Sequence, residues 1–171
     1  METEQPFVLL DFDKFKSTSE CIINKYGILD VHIIEQKIIE ANYYISRQLD
    51  VPLATKLFYL CRLRSVNGIP VSIDKNYIQF DKVRGLENFD FTNVSFYSIL
   101  NKEMNIEIKR TEQEILILEA NEHEKELLCL DQNEIVLIKG TGYREDTSRP
   151  LDYFEMAAVP TFYHFRSVTN P

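Results

Sequence analysis

The chain has 171 residues, of which 44% are hydrophobic and 27% charged, so it is long enough to fold as one domain with a buried core. Its formal net charge of −8 argues against nucleic-acid binding by this segment, because a phosphate-binding surface is basic. Three scattered cysteines, three scattered histidines, no signal-peptide pattern and no long apolar run predict a cytoplasmic domain with reduced thiols, no metal site and no membrane span.

The first third of the chain contains a lead-in and two capped helices. Residues 1–16 are predicted to be a lead-in with a short extended piece at 7–12. The segment Ser17-Thr18-Ser19-Glu20 is a capping box, which predicts a helix that ends before Gly27. A strand is predicted at 32–41, and Asn42 is placed to cap a second helix that Pro52 ends.

Residues 57–78 predict a β-hairpin, because two strand-like runs flank Asn67-Gly68. A two-residue turn would pair Val66 with Ile69 and set the apolar row of one strand beside the polar row of the other. A three-residue loop at 66–68 sets the apolar row of one strand beside the apolar row of the other, and this loop is therefore predicted. One face then carries Arg62, Arg64, Ser72 and Asp74, and the other carries the buried residues Tyr59, Cys61, Leu63, Val71 and Ile73.

Two guanidinium groups and a carboxylate on one sheet face indicate a pocket for a small polar anion, because arginine binds carboxylates and phosphates through paired hydrogen bonds. The alternative is a solvated sheet face with a surface ion pair. The residues alone leave both open.

The second half of the chain alternates helices with extended segments. A connection at 81–91 precedes a helix that starts at Ser95, and an extended run at 106–120 has a polar middle, which predicts a boundary crossing or a bulge. A helix capped at Asn121, a hairpin of 135–144 with 150–157 and a closing strand at 162–166 complete the chain. Gly140 and Gly142 share a strand face and leave room for a ligand or for a crossing backbone. Strands joined mainly by hairpins predict an α+β fold with a mainly antiparallel sheet flanked by helices.

Seven short motifs in this order resemble the UTRA domain, the effector-binding half of HutC-type GntR transcriptional regulators. The resemblance runs from about Phe12 to Arg166. Its motifs are Phe15-Lys16-Ser17-Thr18-Ser19-Glu20, Arg62-Leu63-Arg64 with Asn67-Gly68-Ile69-Pro70-Val71, Tyr77, Ser95-Phe96-Tyr97 with Leu100, Thr111-Glu112-Gln113-Glu114-Ile115, Arg149-Pro150-Leu151-Asp152-Tyr153, and Tyr163-His164-Phe165.

The resemblance implies a chorismate-lyase-like sheet and a homodimeric small-molecule sensor that is no enzyme and needs no cofactor. In the family, operator DNA is bound through an N-terminal winged helix, and nothing before Phe7 is long enough to form one. The chain is therefore expected to be an excised effector domain or a standalone relative, with a lead-in at 1–16 and the UTRA-like domain at 17–171. The rival hypothesis is a chorismate-lyase-type enzyme, which also clamps an anionic substrate with arginines.

The resemblance also implies a binding site for a phosphorylated sugar or amino sugar. The sequence departs from the family pattern at several positions: Asp74 and Asp152 stand where glutamate is usual, Val159 and Thr161 replace an arginine and an aspartate of the closing motif, and Ser148 replaces a turn glycine. Asp74 has two possible roles, which are accepting sugar hydroxyls and neutralising an arginine. Ser95 could cap its helix, bind the effector, or do both. The expected effector-binding residues are Ser17, Thr18, Ser19, Arg62, Arg64, Asp74, Tyr77, Ser95, Asp152 and Tyr163.

Overall fold

A six-stranded antiparallel sheet forms the centre of the computed structural model, which describes residues 6–11, 18–27, 29–145 and 147–170. The strands are β1 (Val8–Asp11), β2 (Asp30–Glu40), β3 (Lys56–Val66), β4 (Ile69–Gln79), β5 (Arg110–Glu119), β6 (Glu134–Tyr143), β7 (Asp152–Ala158) and β8 (Tyr163–Arg166). The helices are α1 (Thr18–Tyr26), α2 (Tyr43–Leu49), α3 (Phe96–Met104) and α4 (Glu122–Leu128), with short 3-10 turns at Phe80–Lys82 and Leu86–Asn88. The predicted α+β class with a mainly antiparallel sheet is confirmed.

The large sheet has the strand order β2-β3-β4-β7-β6-β5, so β2 and β5 are its edges. A separate two-stranded sheet joins the first and last strands, because β1 pairs in parallel with β8. The extended piece predicted near the N-terminus is thus the strand β1. It brings the start of the chain beside its end.

The helix starts follow from local side-chain chemistry. The side chains of Asn42 and Ser95 accept hydrogen bonds from backbone N–H groups three residues later, which satisfies donors that a helix leaves free in its first turn. Asn121 and Glu124 form the reciprocal capping box at the start of α4. These caps are visible in the sequence because they depend on neighbours only.

The turn of the arginine-bearing hairpin differs from the prediction. Asn67 and Gly68 have φ values of 52° and 76°, and Val66 pairs with Ile69, so the loop has two residues and the predicted three-residue loop is wrong. A left-handed conformation at both positions suits Asn-Gly.

A β-bulge restores the alignment that the three-residue loop was meant to explain. Arg64 pairs with Ser72 whereas Ser65 pairs with Pro70, so Val71 is the extra residue. Beyond the bulge Arg62 pairs with Asp74, and the predicted charged face forms. Val71 packs in the core cluster that contains Val66, on the arginine side, so its predicted place on the opposite face is wrong.

The polar middle of the run at 106–120 reflects an edge position and not a bulge. Strand β5 pairs with β6 from Arg110 to Glu119 without any register shift. Because β5 has a neighbour on one side only, most of its side chains are exposed. Ile106 and Ile108, which precede the strand, are buried against the cluster around α3.

The two faces of the large sheet are covered differently. On the face that carries the arginines, α1, β1 and β8 pack over one end, and α3 with the preceding connection packs over the other. On the opposite face, α2 and α4 contribute to two further core clusters. The arginine face is therefore left open between its two packed ends, and this gap positions the site.

The two glycines of β6 lie on the arginine face and allow close approaches. A Cβ atom at Gly140 would collide with the backbone carbonyl of Glu112 on β5, and one at Gly142 would collide with the carboxylate of Asp152. The close approach at Gly140 is thus made by the neighbouring strand β5, which pairs with β6 at this position. In the described part of the chain, no helix combines the length and apolarity needed to span a bilayer.

Candidate functional site

A cavity of about 490 Å³ lies on the arginine face between its two packed ends. Its floor comes from β3, β4 and β7, its walls from β1, α1 and the start of α3, and its far side from Thr111 and Gln113 of β5. The volume falls within the range of about 300–1,000 Å³ that is typical of small-molecule sites. Arg62, Arg64 and Asp74 line it together, as the strand alternation predicted.

Arg64 is a paired arginine. Its Nε forms an ion pair with the Oδ2 of Asp74, and its NH1 donates a hydrogen bond of 2.7 Å to the hydroxyl of Ser19 on α1. Asp74 also accepts a hydrogen bond of 2.9 Å from Ser72, and all four residues are buried. Asp74 therefore neutralises an arginine, and the pair ties α1 to the sheet.

Arg62 is buried without an ion pair among the described residues. Its residue exposure is 2%, and its NH1 donates to the backbone carbonyl of Val94 at 3.0 Å. Its Nε has no hydrogen-bond partner, and no carboxylate in the described residues lies within 4.0 Å of its nitrogen atoms. Burial, and secondarily the charge of Arg64, lower the pKa of Arg62 to about 10 against the opposing charge of Asp74, so Arg62 stays protonated at neutral pH. A buried cation in this state favours an anionic partner.

Two helices begin at the cavity. Thr18 at the start of α1 and Ser95, the N-cap of α3, both line it, and helix N-termini attract anions through their free N–H groups. Ser95 already accepts from the backbone N–H of Ser98, which leaves its hydroxyl proton available to a ligand. Ser17, the third predicted hydroxyl, lies outside the described residues.

Asp152 lies behind the cavity wall and does not line it. It is fully buried, and its Oδ2 accepts a hydrogen bond of 2.8 Å from the hydroxyl of Tyr97, which does line the cavity. Burial raises the pKa of Asp152 from 3.8 to about 6, against the hydrogen bond from Tyr97, which lowers it. The pKa of Tyr97 is raised by burial and by the negative charge of Asp152. Asp152 thus orients a cavity tyrosine.

The raised pKa predicts a pH-dependent stability that Asp152→Asn removes. The folded protein binds this proton more tightly than the unfolded chain, so the stabilisation is complete below about pH 4 and is lost as the pH rises through about 6. Between these limits the wild type should lose up to about 3 kcal/mol relative to the variant, from about two pKa units at 1.36 kcal/mol each. Urea unfolding at a series of pH values measures this. Parallel curves for the two proteins would contradict it.

The two predicted tyrosines lie in different places. Tyr77 pairs with Tyr59 on the opposite face of the sheet, where its ring packs 4.9 Å from Tyr59 and 5.8 Å from Tyr153, away from the cavity. Tyr163 is buried on the arginine face but does not line the cavity; its hydroxyl contacts the Sδ of Met156 at 3.9 Å.

The hydroxyl of Tyr163 lies within electrostatic range of the Arg64–Asp74 ion pair. Burial, and then the negative charge of Asp74, raise the pKa of Tyr163, whereas Arg64 and hydrogen bonds with Thr18 and Ser72 lower it. Tyr163 therefore stays neutral next to the paired arginine.

Comparison with known proteins places the chain in a family. Residues 28–163 match the family described as the UTRA domain. The chain belongs to the UTRA domain family. It is 24% identical over 110 residues to the HTH-type transcriptional regulator GmuR of Bacillus subtilis, a match that covers 64% of this chain and 46% of the relative. The matched region thus spans about half the length of that relative.

Solved structures show the same fold. This UTRA domain superposes on PhnF from Mycobacterium smegmatis with a TM-score of 0.85 and 18% identity, covering 97% of this chain and 73% of that one. It superposes on the C-terminal domain of the histidine utilization repressor from Pseudomonas syringae pv. tomato with a TM-score of 0.75 and 16% identity, covering 84% and 100%.

Several residues that line the cavity of this UTRA domain were not among the predicted site residues. The alternation of β4 already put Asn76 on the face of Asp74, so its place was readable from the sequence. Predicting that Thr111 and Gln113 line the cavity would have required the pairing of β5 with β6, and no local sequence pattern specifies that pairing. Further lining residues outside the predicted set include Asp11, Lys25, Tyr97, Phe154 and Met156.

The cavity lining can be checked for groups that hold a metal ion or transfer a proton. Within the described residues no group of three or more His, Cys, Asp or Glu is arranged to hold a metal ion. No histidine is among the cavity-lining residues of the described ranges. The lining combines the buried Arg62, two helix N-termini and neutral hydrogen-bonding groups with the charged side chains of Asp11, Lys25 and Lys75.

Proposed function

We propose that this UTRA domain is the effector-binding and dimerisation domain of a GntR/HutC-type transcriptional regulator in the cytoplasm, with a small organic anion as its effector. One observation carries the proposal: Arg62 is a buried cation without an ion-pair partner among the described residues, in a cavity where two helices begin. An anion there gains hydrogen bonds from a guanidinium that is already held on a rigid strand.

The effector class that we propose is a phosphorylated sugar or amino sugar. The phosphate would lie between Arg62 and the N-termini of α1 and α3. Hydroxyls on the rest of the molecule would meet Thr18, Ser95 or the β5 side of the cavity, whose lining residues Thr111 and Gln113 are polar. The carboxylate of Asp74 is occupied by Arg64 and is not needed for the hydroxyls.

A separate winged helix would bind operator DNA, and the effector in the cavity would control that binding. Strand β1 lines the cavity, so an effector that packs against it favours one position of the chain's N-terminal strand. A DNA-binding module attached on that side would respond to this shift, because effector affinity and DNA affinity are then coupled.

A thermal-shift screen of hexose phosphates and amino-sugar phosphates tests the proposal. An effector at a hundred times its dissociation constant should stabilise the fold by about 2.7 kcal/mol. Unchanged unfolding temperatures across the panel would reject the effector class. Incubation with chorismate is the companion assay. Steady release of 4-hydroxybenzoate would show that the protein is a lyase and would contradict the regulator hypothesis.

We also propose a homodimer that contacts through β5. This strand is an open edge of the sheet, and three of its apolar side chains are exposed, including Ile117 at 71%. An open apolar edge invites pairing with a second strand. Light scattering at micromolar concentration should show a mass near twice 20.1 kDa. Ile117→Lys should shift it toward the monomer without loss of fold, and a wild-type monomer would contradict the interface.

A further inference from the structure

The side-chain amide of Asn76 lies on the cavity floor without a partner. The residue is 5% exposed and lines the cavity, and within the described part of the chain its amide makes no hydrogen bond. Its cross-strand neighbours on the same face are Leu60 and Phe154, which offer no polar atoms. Its amide atoms are not closed off from the cavity, so their hydrogen-bonding capacity is open to a ligand.

Asn76 is close to Arg62. Arg62 pairs directly with Asp74, and Asn76 is two residues further along β4 on the same face, so it is the diagonal cross-strand neighbour of Arg62. Diagonal neighbours have Cα atoms about 7–8 Å apart, within reach of one small molecule. Between them, Asp74 is engaged by Arg64 and Ser72. Arg62 and Asn76 are thus two open hydrogen-bonding groups on adjacent strands.

We infer that Asn76 determines the specificity of this site by binding a neutral hydrogen-bonding group of an effector whose anion lies at Arg62. The inference rests on the proposed function and adds the second contact point. A carboxamide both donates and accepts, so it pairs with a hydroxyl or an acylamino group and not with a methylene. A site that contains such a group rejects ligands that leave it unpaired.

The test compares anions that differ only in their neutral groups. Glucose 6-phosphate is paired with hexyl phosphate, and gluconate with hexanoate, and binding to the full chain is measured by isothermal titration calorimetry. The wild type should bind the hydroxylated member of at least one pair more tightly. Asn76→Leu, which has a similar volume and no polar atoms, should weaken that ligand by about tenfold or more and leave its apolar counterpart within about twofold.

The stability of the Asn76→Leu variant separates a ligand-binding role from a structural one. A structural role predicts a lower unfolding temperature. Because Asn76 is 5% exposed and its amide makes no hydrogen bond within the described residues, an apolar side chain there should leave the unfolding temperature of the free protein the same or raise it. Asn133→Ala on the surface is the control and should alter neither quantity. A lower unfolding temperature with unchanged discrimination overturns the inference but leaves the proposed anionic effector intact. Failure of the wild type to bind any of the four anions overturns both.

Discussion

Replacing Arg64 by alanine should lower the free energy of unfolding by about 3 kcal/mol or more, because it strands a buried carboxylate. Asp74 would keep only the hydroxyl of Ser72, and Ser19 would lose its donor on the sheet. Breaking a buried pair by removing one partner is costly because the remaining charge has no water around it. Urea denaturation at neutral pH measures the loss.

Two controls separate this effect from the loss of bulk. Arg84→Ala removes an arginine whose pairing with Asp81 is exposed, and it should cost less than about 1 kcal/mol. Replacing Arg64 by methionine and Asp74 by leucine together should recover much of the lost stability, because no unpaired charge remains. A loss below about 1 kcal/mol in Arg64→Ala would show that the pair does not hold α1 to the sheet.

Replacing Arg62 by methionine should abolish effector binding and leave the free protein at least as stable as the wild type. Arg62 is a buried cation that donates to Val94 and has no carboxylate partner in the described ranges, so an apolar side chain of similar length removes a desolvated charge. The stabilisation of about 2.7 kcal/mol that a hexose phosphate gives the wild type at a hundred times its dissociation constant should disappear. Thermal unfolding with and without ligand measures both quantities.

The matched control for Arg62 is Lys25→Met at the cavity rim. Lys25 is exposed and its Nζ donates to the carbonyl of Phe7, so its loss should weaken an anion only slightly. If Arg62→Met destabilised the free protein as strongly as Arg64→Ala, Arg62 would be a structural residue and the anion site would lie elsewhere.

The contrast between the two arginines shows how far the sequence predicts this site. Alternation along one strand put both guanidiniums on one face, and this is confirmed. The sequence treated them as equivalent and left Asp74 with two roles. The difference arises because α1 places Ser19 against Arg64, whereas the segment before α3 offers Arg62 only a carbonyl. Which buried charge finds a partner depends on elements far apart in the chain.

The sequence by itself determined the α+β class, the helix caps and the charged face of the hairpin, because capping and alternation involve residues only a few positions apart. The tertiary structure alone decided the bulge at Val71, the edge position of β5 and the pairing of Tyr97 with Asp152. It also put Tyr77 on the far side of the sheet from the cavity. Strand order, register and the burial of charge are set by contacts between distant segments, and a local pattern carries no information about them.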